Sequence, residues 1–273
     1  MSAAMLVLGA TGVVGRGIVA AAVEAGMPVV AVARDPGELA HLQAAHPDGN
    51  VDVLTGSVAN EAGSAELAAA LRGLGRPLSG VVAAVSGPSG RGRILDQPAG
   101  ALRCALDAEL LPHLAAARHL LPLLAEDARG GSYVLIGGPA GTLPWAGYGH
   151  HSIAAAAVRM LACVLHDEAR SLGVRVQLLA VDAPVGEPGQ AHACPQWPTA
   201  VAIGRRAVAL VQRSDARDAA QAIVPYAPKT PPATASHADA QTNERWQQDA
   251  RRLLHSLTSS SSNASEVFPH DYP

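Results

Sequence analysis

Seven short, continuous apolar runs punctuate the chain: Met5–Leu8, Pro28–Ala33, Val51–Leu54, Leu78–Val85, Tyr133–Ile136, Val174–Ala180 and Ala222–Tyr226. Between them lie stretches that read as helices: Ile18–Ala25, Pro36–Ala45, Glu61–Leu71, Ala99–Ala128, Tyr148–Ser171 and Arg205–Gln212. Apolar strands separated by helices predict a parallel sheet covered on both faces. Right-handed crossovers then give a single doubly wound α/β domain with helices on both faces. Pro112 and Pro122 interrupt the fourth helical stretch, so at least one kink is expected there. Gly26 and Gly173 close two of the helices. No internal repeat is present.

The first strand runs directly into Gly9, Gly12 and Gly15, a GxxGxxG spacing that opens the first helix. Gly9 permits a sharp turn. Gly12 lets the backbone approach a pyrophosphate at the positive helix N-terminus, and Gly15 lets helix and strand lie close. This is the strand–turn–helix of a dinucleotide site on a Rossmann fold, with Thr11, Val13 and Val14 completing the loop. Just past the second strand comes Arg34, where an acidic residue would select NAD and an arginine accommodates the 2′-phosphate of NADP. Asp35 either blurs that choice or caps the next helix, and Arg16 adds positive charge nearby. The expected cofactor is NADP(H).

Composition narrows the class. The 273 residues are 49% hydrophobic and 16% charged, enough for one large domain with a substantial core. A net charge of −3 gives no reason to invoke nucleic acid or an anionic membrane. With no spanning or secretory pattern, the expectation is a soluble cytoplasmic protein. Cys104, Cys163 and Cys194 are widely spaced and read as reduced structural thiols, and no metal site is expected. From residue 227 the composition shifts to Pro, Thr, Ser, Ala and His. The expected organisation is therefore a domain over 1–226 and a tail over 227–273 with one possible helix at 241–257. The tail is either largely flexible or docked over a subunit or the site by Trp246, Phe268 and Tyr272.

From Leu78 to Val185 the chain resembles the short-chain dehydrogenase/reductase family. The resemblance lies in Val85-Ser86-Gly87 after the fourth strand and Leu121-Pro122-Leu123 in the long helix. It continues through Tyr133 to Gly141, Tyr148 opening a helix, and Gly173 to Ala180. With the glycine motif it covers residues 4 to about 225. The resemblance implies a tyrosine acid, a lysine four residues on, a serine after the fifth strand and an asparagine in the preceding helix. Tyr148 matches the tyrosine. The lysine falls on Ser152, the serine on Gly138 and the asparagine on Glu109. The aspartate that contacts adenine falls on Ser57, and Ser86 and Gly87 line the cofactor in an altered motif.

Misalignment does not restore the lysine: the only one in the chain is Lys229, against nineteen arginines. A tyrosine with the reference pKa of about 10 costs roughly 4 kcal/mol to ionise at neutral pH. Such a residue donates a hydrogen bond or proton to a developing oxyanion but is a poor base for alcohol oxidation. His150, His151, Ser152 and Glu109 are the candidates to assist Tyr148, against the plainer readings of exposed helix-start or ion-paired residues. Asp182 is a further candidate, or a turn residue. Gly138, Trp197 and His192 are placed to line the substrate pocket.

Three functions follow. One is an NADP(H)-dependent reductase of a small carbonyl or enone metabolite, of a kind that suits specialised, polyketide-like metabolism. The second is a redox-neutral cyclase, dehydratase or isomerase using Tyr148 with His150 or His151. The third is a non-catalytic NADP(H) sensor. The helices at 99–128 and 148–171 are those through which the family dimerises, which implies a homodimer or homotetramer.

Overall fold

The structure is a computed structural model that describes residues 3–87, 90–126, 130–186 and 197–226. Seven strands form one sheet: β1 (Ala4–Leu8), β2 (Val29–Ala33), β3 (Val51–Thr55), β4 (Leu78–Ala83), β5 (Ser132–Gly137), β6 (Arg175–Ala180) and β7 (Ile223–Pro225). Their order is β3-β2-β1-β4-β5-β6-β7, and every pairing is parallel. The order reverses between β1 and β4, which opens a crevice at the strands' carboxyl ends. Every residue of β1 and β2 is buried. That explains why these strands read as unbroken apolar runs.

Helices cover both faces. On one side α3 (Glu61–Gly73), α5 (Leu111–Ala125) and α6 (Gly149–Glu168) contribute Leu67, Leu71, Leu120, Leu124, Val158 and Leu165 to the core. On the other, α1 (Val13–Glu24), α2 (Pro36–Ala44) and α7 (Ala200–Val211) contribute Ile18, Val19, Leu39, Leu42, Ile203 and Leu210. The remaining helix, α4 (Ala99–Glu109), packs against α6.

Three helix boundaries differ from expectation, each for a local reason. Helix α1 begins at Val13, not Ile18, because Gly12 is an extended N-cap and the helix takes in Gly15 and Gly17. Those glycines are required by contact: a Cβ on Gly17 would lie 2.3 Å from the backbone of Ala200. Helix α7 begins at Ala200, not Arg205, because the Thr199 hydroxyl accepts the Ala202 N–H at 3.2 Å. The stretch 99–128 breaks at Leu110, two residues before Pro112, whereas α5 runs through Pro122 to Ala125. Residues of the possible helix 241–257, and the tail as a whole, lie outside the described residues.

Helix α5 also carries a polar group into the core. His113 is 2% exposed, and its Nε2–H donates to the Val85 carbonyl at 3.2 Å, just past β4. Its Nδ1 is buried without a partner. Burial outweighs that hydrogen bond and holds the imidazole down at about 4, against an ordinary 6.5. Between those values the unfolded chain takes up a proton that the folded chain refuses, so stability falls as pH drops below 6.5. By pH 4.5 the loss from this residue reaches about 2 to 3 kcal/mol. Denaturant unfolding of the protein and of His113→Gln at pH 7 and pH 4.5 checks this: the variant's acid-induced loss should be smaller by about that amount.

Candidate active site

The glycine loop is built as the spacing implies. Gly9 adopts φ +71°, and a Cβ there would lie 2.3 Å from the Ala84 carbonyl oxygen. A Cβ on Gly15 would lie 2.0 Å from the Gly9 oxygen. Only glycine lets the ends of β1 and β4 and the start of α1 meet this closely. A Cβ on Gly12 would meet nothing nearer than 3.4 Å, so this residue keeps the outer side of the loop open. No side chain caps α1, and its first turn holds no acidic residue. The N–H groups of Val13, Val14 and Gly15 have no acceptor among the described residues. Unpaired amides at a helix N-terminus suit a pyrophosphate.

The rim of the crevice sorts the charged candidates. Arg34 is exposed, and no hydrogen bond or ion pair engages it among the described residues. Asp35 acts as a cap: its Oδ1 accepts the N–H groups of Gly37 at 2.8 Å and Glu38 at 3.1 Å. Arg16 is committed, donating from Nε to the Thr11 carbonyl at 2.8 Å and pairing with Glu38 through Nη2. Its charge is thereby largely matched at the rim. Ser57 is half-buried and its Oγ accepts the Ala59 N–H at 3.2 Å. Ser86 is exposed, and Gly87 is pressed on α4, where a Cβ would lie 2.7 Å from the Ala108 oxygen.

The catalytic candidates gather at the start of α6. Tyr148 is its N-cap, with its N–H donated to the Trp145 carbonyl at 2.9 Å. Its ring meets Trp145 edge-on, with centroids 6.5 Å apart. The His151 ring lies 6.0 Å from the same indole. His151 Nδ1–H donates to Glu109 Oε2 at 2.6 Å, a short contact typical of a charge-assisted bond. Glu109 is 6% exposed, and its Oε1 is buried without a partner. Ser152, in the lysine position, spends its Oγ on the Trp145 N–H at 3.0 Å. Gly138, in the serine position, has no atom within 4 Å of where a Cβ would stand. The hydroxyl is therefore missing, with nothing moved in to replace it.

Tyr148, His151, Ser152 and Glu109 are thus brought together, whereas no bond joins His150 to them among the described residues. Trp197 is half-buried beside Gly186, whose N–H donates to Pro198 at 2.9 Å. His192 lies outside the described residues. Asp182 Oδ1 accepts the Thr142 hydroxyl at 3.4 Å and so ties the ends of β5 and β6. Sequence reasoning missed His113, which anchors the Val85 carbonyl at the crevice floor. A lone histidine in an apolar helix carried no local signal. Among the described residues no cluster of metal-ligating side chains is present, and no helix is long and apolar enough to cross a membrane. A cavity of about 650 Å³ lies at the opposite end of β4, near Arg72 and Arg76. Both arginines are paired there, with Glu126 and Asp52.

The family model for short chain dehydrogenase matches residues 3–183. No curated protein sequence matches the chain. Among solved structures, the chain is similar to a short-chain type dehydrogenase/reductase from Mycobacterium ulcerans, at 22% identity and TM-score 0.69 over 82% of this chain and 88% of that one. It is similar to a short chain dehydrogenase/reductase family oxidoreductase from Burkholderia thailandensis, at 23% identity and TM-score 0.70 over 82% and 91%. A short-chain dehydrogenase from Streptomyces avermitilis aligns at 20% identity and TM-score 0.68 over 97% and 99%. The amides of Val13, Val14 and Gly15 and the open side of Gly12 fit the nicotinamide nucleotide that such a fold implies. With the parallel sheet, the glycine cradle and the match over most of the domain in hand, the chain belongs to the short-chain dehydrogenase/reductase family and is an oxidoreductase-like enzyme.

Proposed function

We propose that the protein is an NADP(H)-dependent reductase of a small carbonyl or enone metabolite, with Tyr148 as the proton donor. The observation that carries this reading is the pairing of an intact pyrophosphate cradle with a tyrosine that has lost its lysine. Val13, Val14 and Gly15 hold the pyrophosphate through their N–H groups, and unpaired Arg34 takes the 2′-phosphate. When bound, the reduced nicotinamide supplies a hydride. Tyr148 donates its phenolic proton to the oxygen on which negative charge develops. Ser152 cannot lower the phenol's proton affinity as a cation would, which favours reduction over alcohol oxidation. Trp197 contributes an apolar wall, and Gly138 leaves room for a substrate broader than a serine hydroxyl would admit.

Exposed apolar residues on the outer helices support a homodimer. Ile153, Met160 and Val164 share one side of α6, and Met160 is 64% exposed. Leu114 on α5 is 40% exposed. Contiguous apolar exposure of this kind marks an interaction surface.

Three measurements test these proposals. The first follows NADPH absorbance and product mass with a panel of ketones and enones. Tyr148→Phe should slow NADPH consumption by about 100-fold or more. A mass-neutral product without NADPH consumption would replace the reductase by an isomerase or cyclase, and binding without product by a sensor. The second titrates NADPH and NADH by fluorescence. Arg34→Ala should weaken NADPH binding by about tenfold and leave NADH unchanged; tighter NADH binding by the protein itself would overturn the assignment. The third is light scattering, which should give twice the chain mass, reduced to the monomer in Met160→Glu.

A further inference from the structure

We propose that Glu109 and His151 act as one proton-delivery couple behind Tyr148, in place of the missing lysine. The inference rests on the reductase reading above. Its starting point is a part-buried hydrogen-bonded pair whose members come from different helices, 42 residues apart: Glu109 Oε2 and His151 Nδ1 at 2.6 Å. Ordinary helix electrostatics does not explain it. Glu109 is the last residue of α4, where the helix dipole disfavours an anion, and His151 lies in the first turn of α6, where it disfavours a cation. A carboxylate that is 6% exposed, with one oxygen lacking any hydrogen bond, is also costly to fold. Groups held at such expense are characteristic of functional sites.

His151 stands beside the position where the family resemblance implies a lysine. Trp145 meets both the Tyr148 ring and the His151 ring, so the three side chains form one cluster. His151 is one residue short of the lysine position, on the same helical turn as Tyr148. Ser152, in the lysine position itself, instead fixes Trp145 through its N–H. The other charged or titratable groups on the elements packed here are Arg103, Cys104 and Asp107 on α4, His150, Arg159, Cys163, His166, Asp167 and Glu168 on α6, and Arg91, Arg93 and Asp96 in the segment bridged to Tyr148 through Gly92. The carboxylate bonded to His151 is that of Glu109.

The steps balance with NADPH as reductant. Hydride adds to the substrate carbonyl carbon as the C=O π bond breaks, and the oxygen takes the Tyr148 proton. The tyrosinate takes a proton from the His151 imidazolium, which then recovers one from water. Glu109 keeps its negative charge throughout and holds the imidazolium in place. The sum is carbonyl, NADPH and one proton giving alcohol and oxidised nucleotide. Glu109 and His151 are positioning residues here, since Tyr148 alone touches the substrate.

The test measures NADPH oxidation against pH with a diketone, an aryl ketone and an enone as probes. It uses the full chain, Glu109→Gln, His151→Gln and the double variant Glu109→Gln/Ser152→Lys. NADPH binding, followed by fluorescence, verifies that each variant is folded. Glu109→Gln should lower kcat by about tenfold or more and move the alkaline limb of the profile to lower pH, with KM little changed. The lysine of the double variant should restore both the rate and the limb. His151→Gln serves as the second variant should Glu109→Gln not fold, and it should abolish the limb. Unchanged kcat and profile in these variants would overturn the couple while leaving the reductase standing. No turnover of any probe by the unmodified protein would overturn the reductase reading and the couple with it.

Discussion

The contact on which this structure depends is the one between backbone atoms at Gly9. Its left-handed turn brings the end of β1 against the Ala84 carbonyl, and Gly15 brings α1 down on Gly9 itself. Side chains at either place would push three elements apart by more than an ångström. Because the elements meet without side chains, the amides of Val13, Val14 and Gly15 open the helix with no acceptor among the described residues. The cofactor site is therefore a consequence of how the sheet is joined to its first helix. The same contact sets the position of β4, and through Val85 that of His113, so cradle and core are stabilised together.

The reacting end is organised differently. The cradle is backbone, local and close to family pattern; the centre around Tyr148 is side chain, long-range and altered. Where the family resemblance implies a serine and a lysine, this chain has Gly138, with open space, and Ser152, bonded to a tryptophan. Beside that position His151 of α6 is bonded to Glu109 of α4.

What was legible in the sequence follows that division. The strands could be read because a parallel sheet buries both faces and leaves unbroken apolar runs, as at Met5–Leu8 and Tyr133–Ile136, whereas their order came from the structure. The loop glycines could be read because each answers a local steric demand. Asp35 as a cap was one of two readings, and a pair of bonds two and three residues away decides it. By contrast, the start of α1 was missed because Gly15 and Gly17 look like helix breakers until Gly15 is seen against the Gly9 backbone and Gly17 against Ala200 of α7. Glu109 and His151 were each suspect, yet no spacing rule links residues on α4 and α6, so their bond was not foreseeable. Arg16 read as a free rim charge because its partner, Glu38, belongs to the next helix.

Two of the buried polar atoms left unpaired, Glu109 Oε1 and His113 Nδ1, belong to helices that border the crevice. Their chemistry sets opposite demands. His113 must stay neutral, since burial holds its imidazole at about 4, and its role is to fix the Val85 carbonyl at the floor of the site. Glu109, also buried, is hydrogen-bonded to His151. A single fold thus keeps one histidine from protonating while giving another an anion to pair with. The difference lies in their surroundings: His113 is fully buried and meets only a carbonyl, whereas His151 is half-buried and meets the Glu109 carboxylate. That contrast, not the mere presence of histidines near Tyr148, is the physical reason to assign proton delivery to His151 and a structural role to His113.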